Sequence, residues 1–160
     1  MPRIFMSNLK KSVILLTILI ADQMSKFLVR SVADLSGGIN VIGDFLKFVY
    51  VRNNGAAFSS FSGQRIFLII LPTLVIIGAI YAMNRYGRDS KLLQTAVLFI
   101  IAGGIGNLID RIIYGYVTDM ISFSIFPPVF NIADIAVSVG CGLLFIYVLF
   151  FEDRKAKSKK

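Results

Sequence analysis

The chain has 160 residues, 56% of them hydrophobic, with a mean hydropathy of +0.77, which is too apolar for a soluble domain of this size and predicts membrane spans. One cysteine and no histidine exclude an intrachain disulfide, a zinc site built from His or several Cys, and catalysis by a His base. The formal charge of +8 would suit nucleic acid in a soluble protein, but in a membrane chain it reports topology, and no nucleic-acid partner is expected.

Four apolar segments approach the ~20 residues that cross the hydrocarbon core as a helix. The first is Val13–Val29. Lys10 and Lys11 before "VILLTILIA" resemble the start of a signal peptide, but Leu19 breaks the small-residue rule for cleavage after Ala21, and "KFLV" continues the run. A retained span is therefore predicted. The next segment, Arg30–Arg65, contains "INVIGDFLKFVYVRNNGAAF", rich in β-branched and aromatic residues and ending near an Asn-Gly turn. It predicts a small external β element at about residues 39–62. The second span is Ile66–Met83 and the third Leu92–Ile112. An external loop, Ile113–Asn131, leads to the fourth span, Ile132–Phe151. The basic tail "DRKAKSKK" is expected to be disordered and close to anionic headgroups. With no internal repeat, residues 1–160 read as a single all-α membrane domain of four transmembrane helices carrying one external β element.

Lys and Arg set the orientation. They gather in the N-terminus (Arg3, Lys10, Lys11), between the second and third spans (Arg85, Arg88, Lys91) and in the tail (Arg154, Lys155, Lys157, Lys159, Lys160). The loop Ile113–Asn131 has none. By the positive-inside rule both termini are cytoplasmic. The Arg30–Arg65 segment has four basic residues, but it is long and counts for less in that rule.

Polar residues then cluster in depth. At 1.5 Å per residue, Asp110 lies roughly 27 Å above Leu92, at the outer edge, and Asp22 roughly 13 Å above Val13, near mid-membrane. Asp134 enters the fourth span from that same outer side, and Asp119 lies in the external loop. An ionisable group inside a span costs at least ~2.5–3.5 kcal/mol on insertion scales, so it faces protein and is a candidate for function. Each also has a structural reading. Asp22 and Lys26 are spaced i,i+4 and can pair on one helix face. Asn107 can reach Asp110 or Arg111. Asn131 is an N-cap candidate for the fourth helix, and Asp134 suits its first turn. Gly103, Gly104 and Gly106 read as helix-packing positions, as does Cys141 between Gly140 and Gly142. Asp119, in the otherwise uncharged "YVTDMISF", has no nearby Lys or Arg in sequence.

Two acids without His leave an economical chemistry. Carboxylates sharing a site split their proton affinities, so one activates water while the other polarises a carbonyl. Asp119 and Asp134 straddle one short external loop, within reach of each other.

Five stretches in order carry a resemblance: "DQMSK" (Asp22–Lys26), "RNNGAAF" (Arg52–Phe58), "GGIGNLIDR" (Gly103–Arg111), "VTDM" (Val117–Met120) and "FNIAD" (Phe130–Asp134). With four spans and an inside–inside topology, the chain resembles the lipoprotein signal peptidases, the signal peptidase II family of bacterial membranes. The resemblance implies an aspartic peptidase of the cytoplasmic membrane with its site at the outer leaflet. Its substrate would be a prolipoprotein carrying a diacylglyceryl group on cysteine, cut just before that residue. It implies Asp119 and Asp134 as catalytic residues. Asp22, Lys26, Asn53, Gly55, Asn107, Asp110, Arg111 and Asn131 would support them or bind substrate. It further implies a β-cradle and a short surface helix in the Arg30–Arg65 segment, no cofactor or metal, contact with membrane lipid, and a monomer. Met120 stands where the family commonly has Phe, and Trp is absent; neither changes the expected chemistry. Two other readings stay open: a small ion-coupled carrier with an Asp22/Lys26 relay, and a metal-dependent hydrolase using clustered carboxylates.

Overall fold

The computed structural model of the chain describes residues 6–31, 37–55, 61, 63–86 and 90–152. Four helices carry the apolar segments: α1 (Asn8–Ser31), α2 (Arg65–Tyr86), α3 (Lys91–Ile113) and α4 (Ile132–Tyr147), the last continued by a π-helical turn, Val148–Glu152. All four are long and apolar enough to cross a membrane. Each extends beyond or near the bounds expected from hydropathy, because polar end residues such as Asn8, Lys91 and Arg85 complete turns that the apolar run does not count.

α3 is the central helix. It packs against α1, α2 and α4, and over half of its apolar window is buried. The other three turn apolar side chains outward, among them Leu16, Ile20, Leu74 and Phe145, as a hydrocarbon solvent permits. Ser90 caps the start of α3 by accepting from the Leu93 N–H. At its other end the Arg65 guanidinium donates to the carbonyls of Arg111 and Ile112, 3.0 and 2.9 Å. Those are orphan C-terminal acceptors, and a cation is favoured there.

Small residues set how closely α3 and α4 approach. A Cβ on Gly103 would meet the Ala133 carbonyl oxygen, and one on Gly140 would lie 2.7 Å from the Ala96 carbonyl oxygen. These are backbone atoms and cannot swing aside. Gly103→Ala therefore pushes the start of α4 away and is expected to lower stability by ~1–3 kcal/mol despite better helix propensity. Gly78 has nothing within 4 Å, so Gly78→Ala is its control. Thermal midpoints in one detergent compare the two; equal midpoints would remove close packing as the reason for Gly103. Cys141 departs from the packing role expected for it. It is exposed on the outside of α4, because the close contact falls on Gly140, one residue earlier.

Beside the helices lies a four-stranded antiparallel sheet in the order β1 (Ile39–Ile42), β2 (Leu46–Asn53), β3 (Val117–Phe123), β4 (Phe126–Phe130). The expected β element supplies β1 and β2. The other half corrects the reading of Ile113–Asn131 as a loop. It is a hairpin, and β3 pairs with β2 across the chain, with Val51 opposite Asp119 and Asn53 opposite Val117. Pro127 and Pro128 are tolerated because β4 is an edge strand. The expected short surface helix is not among the described residues of the Arg30–Arg65 segment, of which 32–36, 56–60 and 62 lie outside the description; so does the basic tail, residues 153–160.

Candidate active site

The C-terminal ends of α1 and α3 and the start of α4 meet β2 and β3, and the polar residues singled out in the sequence converge there. Period-2 alternation puts Asn53 and Asp119 on one face of the sheet as diagonal neighbours. The Asn53 amide donates to Asp119 Oδ2 at 2.9 Å. Thr118, on the opposite face, is fully buried. Its hydroxyl accepts from Arg30 at 2.9 Å, and its N–H donates to Asp110 Oδ2 at 2.9 Å. Asp110 thus fixes where β3 leaves the helix bundle, one residue before Asp119.

Asn131 is both a cap and a bridge. Its side-chain oxygen accepts from the Asp134 N–H at 2.9 Å, and Asp134 Oδ2 accepts from the Asn131 N–H at 3.2 Å, a reciprocal capping box. Its amide nitrogen donates to Asp119 Oδ1 at 2.7 Å and to Asn107 Oδ1 at 3.1 Å. The structural role expected of Asn131 and its role in the site are one geometry. Asn107 in turn donates to Asp134 Oδ1 at 2.7 Å.

Three amides therefore face two carboxylates, and each amide has its oxygen held. Asn53 Oδ1 accepts from the Gly55 N–H at 2.9 Å, Asn131 Oδ1 from the Asp134 N–H, and Asn107 Oδ1 from Lys26 Nζ at 3.0 Å. Holding the oxygen turns the NH2 toward Asp119 or Asp134. All four oxygens of the two carboxyl groups accept one hydrogen bond each.

Beneath them lies a buried ionic layer. Lys26, fully buried, is 2.9 Å from Asp22 Oδ2 and 3.7 Å from Asp110 Oδ2. Asp22 Oδ1 accepts from the Ala133 N–H at 2.9 Å, which ties α1 to the first turn of α4. Gly106 does more than pack: a Cβ there would lie 2.6 Å from Asp22 Oδ2, so its absence makes room for the carboxylate. Among the described residues no buried side-chain N or O lacks a partner. Asp22 and Lys26 close on each other and on α4, which does not favour a transmembrane relay. Arg111, for which two roles stood open, donates to the Gly55 carbonyl at 2.9 Å and so holds the turn after β2. Arg30, Arg65, Gln23 and Thr118 carry parts of this network that sequence did not single out. Only Arg30 offered a signal, at four residues beyond Lys26 on the same helical face.

Asp119 is 2% exposed. Burial pushes its carboxyl up to about 6; the Asn53 amide opposes the rise, the charge of Asp134 adds to it, and the Asn131 amide and Lys26 oppose it. Burial thus outweighs the charge of Asp134 in raising Asp119.

The chain matches the family model described as signal peptidase (SPase) II over residues 14–150. A lipoprotein signal peptidase of Halalkalibacterium halodurans is 36% identical over 151 residues, 92% of this chain and 96% of that one. One of Listeria monocytogenes is 37% identical, covering 92% and 97%, and one of Clostridium novyi 39% identical, covering 82% and 91%. Two solved structures of a bacterial membrane enzyme, obtained by the in meso method at 2.3 and 1.9 Å resolution, superpose with a TM-score of 0.85 each, at 31% and 30% identity. They cover 94% of this chain, and it covers 92% and 99% of theirs. Matched along nearly its whole length in sequence and in fold, the chain belongs to the signal peptidase II family.

Proposed function

We propose that this protein is a membrane-embedded aspartic endopeptidase that removes the signal peptide from diacylglyceryl-modified prolipoproteins, cutting just before the lipidated cysteine. The observation that carries the reading is the Asp119–Asn131–Asp134 constellation where the helices meet the sheet: the buried Asp119 carboxyl accepts from the Asn131 side-chain amide, and the half-buried Asp134 carboxyl accepts from the Asn131 backbone N–H. In this reading Asp119 and Asp134 are the catalytic residues. Asn53, Asn107 and Asn131 orient them, Arg111 and Gly55 hold the neighbouring turn, and Asp22, Lys26 and Asp110 hold the frame. Family membership supports the substrate class, as the curated relatives are lipoprotein signal peptidases.

The whole chain acts as one membrane domain with both termini cytoplasmic, as the Lys and Arg distribution supports. The carboxyl pair then lies at the outer leaflet. The acylated cysteine approaches sideways from lipid, its chains staying in hydrocarbon while the scissile bond reaches the pair. An apolar groove lined by Ile66, Phe67 and Ile70 lies beside Arg65, which itself touches the end of α3, and offers such chains a path.

Purified protein incubated with lipidated and unlipidated precursor tests the reading. Release of signal peptide from the lipidated form alone is expected. Saturating EDTA should leave the rate within twofold, since among the described residues no three His, Cys, Asp or Glu side chains group as metal ligands. Equal cutting of both precursors would sink the substrate assignment. EDTA inhibition reversed by added divalent ion would favour a metal-dependent hydrolase.

A further inference from the structure

The two carboxyl groups look equivalent by family position, but their surroundings differ. Asp119 stands on a β-strand and receives two neutral amide donors, from Asn53 and Asn131. Asp134 stands in the first turn of α4, where the helix dipole favours negative charge. The amide it receives, from Asn107 at 2.7 Å, has the Lys26 ammonium on its oxygen; the Asn131 amide on Asp119, equally short at 2.7 Å, has only a backbone N–H on its oxygen. A cation on the carbonyl oxygen of an amide polarises its N–H groups, so the charge of Lys26 reaches Asp134 through Asn107. The charged groups facing the pair are Lys26 and Asp22 from α1 and Arg111 from α3, with Asp110 acting on Arg111.

Resting on the peptidase reading above, we infer that the pair works in one direction only: Asp134 is the ionised base, Asp119 holds the proton, and Lys26 is the positioning residue that sets this asymmetry through Asn107. Asp134 takes a proton from water as the water oxygen bonds to the scissile carbonyl carbon. Asp119 gives its proton to the carbonyl oxygen. The tetrahedral intermediate then collapses: the C–N bond breaks, the leaving nitrogen takes the proton held by Asp134, and the intermediate returns a proton to Asp119. Both groups end as they began.

The test is the pH profile of single-turnover cleavage of lipidated precursor in three proteins: the parent, Asp22→Asn/Lys26→Met and Asn107→Ala. The paired change removes one buried charge of each sign, and an Asn at 22 still accepts from the Ala133 N–H. Losing the Lys26 contact makes the negative charge on Asp134 harder to hold. The acidic limb should rise by about one pH unit and the plateau rate fall about tenfold, with KM within twofold of parent; the basic limb should rise by less, because Lys26 also acts on Asp119 but not through Asn107. A shift of the basic limb alone would overturn the assignment and put the proton on Asp134. A folded paired variant with both limbs unmoved would make Lys26 a mere counter-ion for Asp22 and overturn its positioning role. Should the paired variant fail to fold, Asn107→Ala, which leaves every charge in place, decides alone, with the same limb expected to move. Failure of the parent to cut the lipidated precursor at any pH would reject the peptidase reading itself and this inference with it.

Discussion

Asp119→Asn and Asp134→Asn should each abolish cleavage of lipidated precursor, with single-turnover rates falling on the order of 10⁴-fold or more, and the double variant should be no worse than either single one. Asn matches Asp in size but cannot exchange a proton, so the site keeps its shape and loses its chemistry. Groups that act as one unit are lost as one unit, which is why the effects do not add. Precursor binding should survive, because the Asn131 bridge and the Arg111 contact to Gly55 stay in place. A single variant with near-parental turnover would remove that residue from the pair, and Asp110 or Asp22 would be tested next. Stability gives an independent readout. The carboxyl of Asp119 is raised from 3.8 to about 6 in the fold, so the folded state binds its proton more tightly than the unfolded chain. The resulting penalty is absent below about pH 4, grows as pH rises, and is complete above about pH 6. Asp119→Asn relieves it. At pH 7–8 it should be more stable than the parent, by less than the ~3 kcal/mol that the full rise represents, because the NH2 replacing one carboxylate oxygen faces the donating amide of Asn53 or Asn131. Below pH 4 the advantage should vanish. A midpoint below parent at pH 8 would mean that Asp119 holds the fold and is not held under tension by it.

The residues of the site were legible in the sequence because a membrane makes polar groups conspicuous. Asp22 and Lys26 share a helical face, and they meet at 2.9 Å. Asn131 precedes an apolar run, and it caps α4. What the sequence hid is non-local. Asp119 reads as a loop residue because the partner of β3 lies 66 positions earlier, at Asn53, and because the two prolines of β4 argue against a strand. Edge placement removes that objection, but edge placement is a property of the finished sheet. The second job of Gly106 was hidden for the same reason. Glycine in a span signals close approach without saying whether the neighbour is a helix backbone or, as here, a carboxylate. The fixed orientation of the three amides has no sequence signature at all. It depends on which donor reaches each oxygen, and those donors come from a turn, a lysine on another helix and a helix start.

The frame under the pair should fail differently from the pair itself. Asp22 is fully buried and serves three donors: Lys26 at 2.9 Å, Gln23 at 3.0 Å and the Ala133 N–H at 2.9 Å. Asp22→Ala strands the Lys26 ammonium against Asp110 at 3.7 Å and the Asn107 oxygen, leaves an α4 N–H without its acceptor, and opens a void beside Gly106. Breaking a buried pair by removing one partner costs ~3–5 kcal/mol, much of it the unpaired charge left behind. The expected result is a much lower yield of folded protein and a lower thermal midpoint, with activity falling in step with the folded fraction. Lys26→Met in the same chain removes the stranded charge, so Asp22→Ala/Lys26→Met should be more stable than Asp22→Ala although it carries one more substitution. That recovery separates electrostatics from packing, since the void and the orphan N–H remain in both. If Asp22→Ala keeps the parental midpoint and yet cuts nothing, Asp22 acts on the reacting groups and the buried pair is not what holds α1 to α4. If the double variant is the less stable of the two, the cost lies in the lost α4 contact and the void, and the charge of Lys26 is satisfied by Asp110 and Asn107 alone.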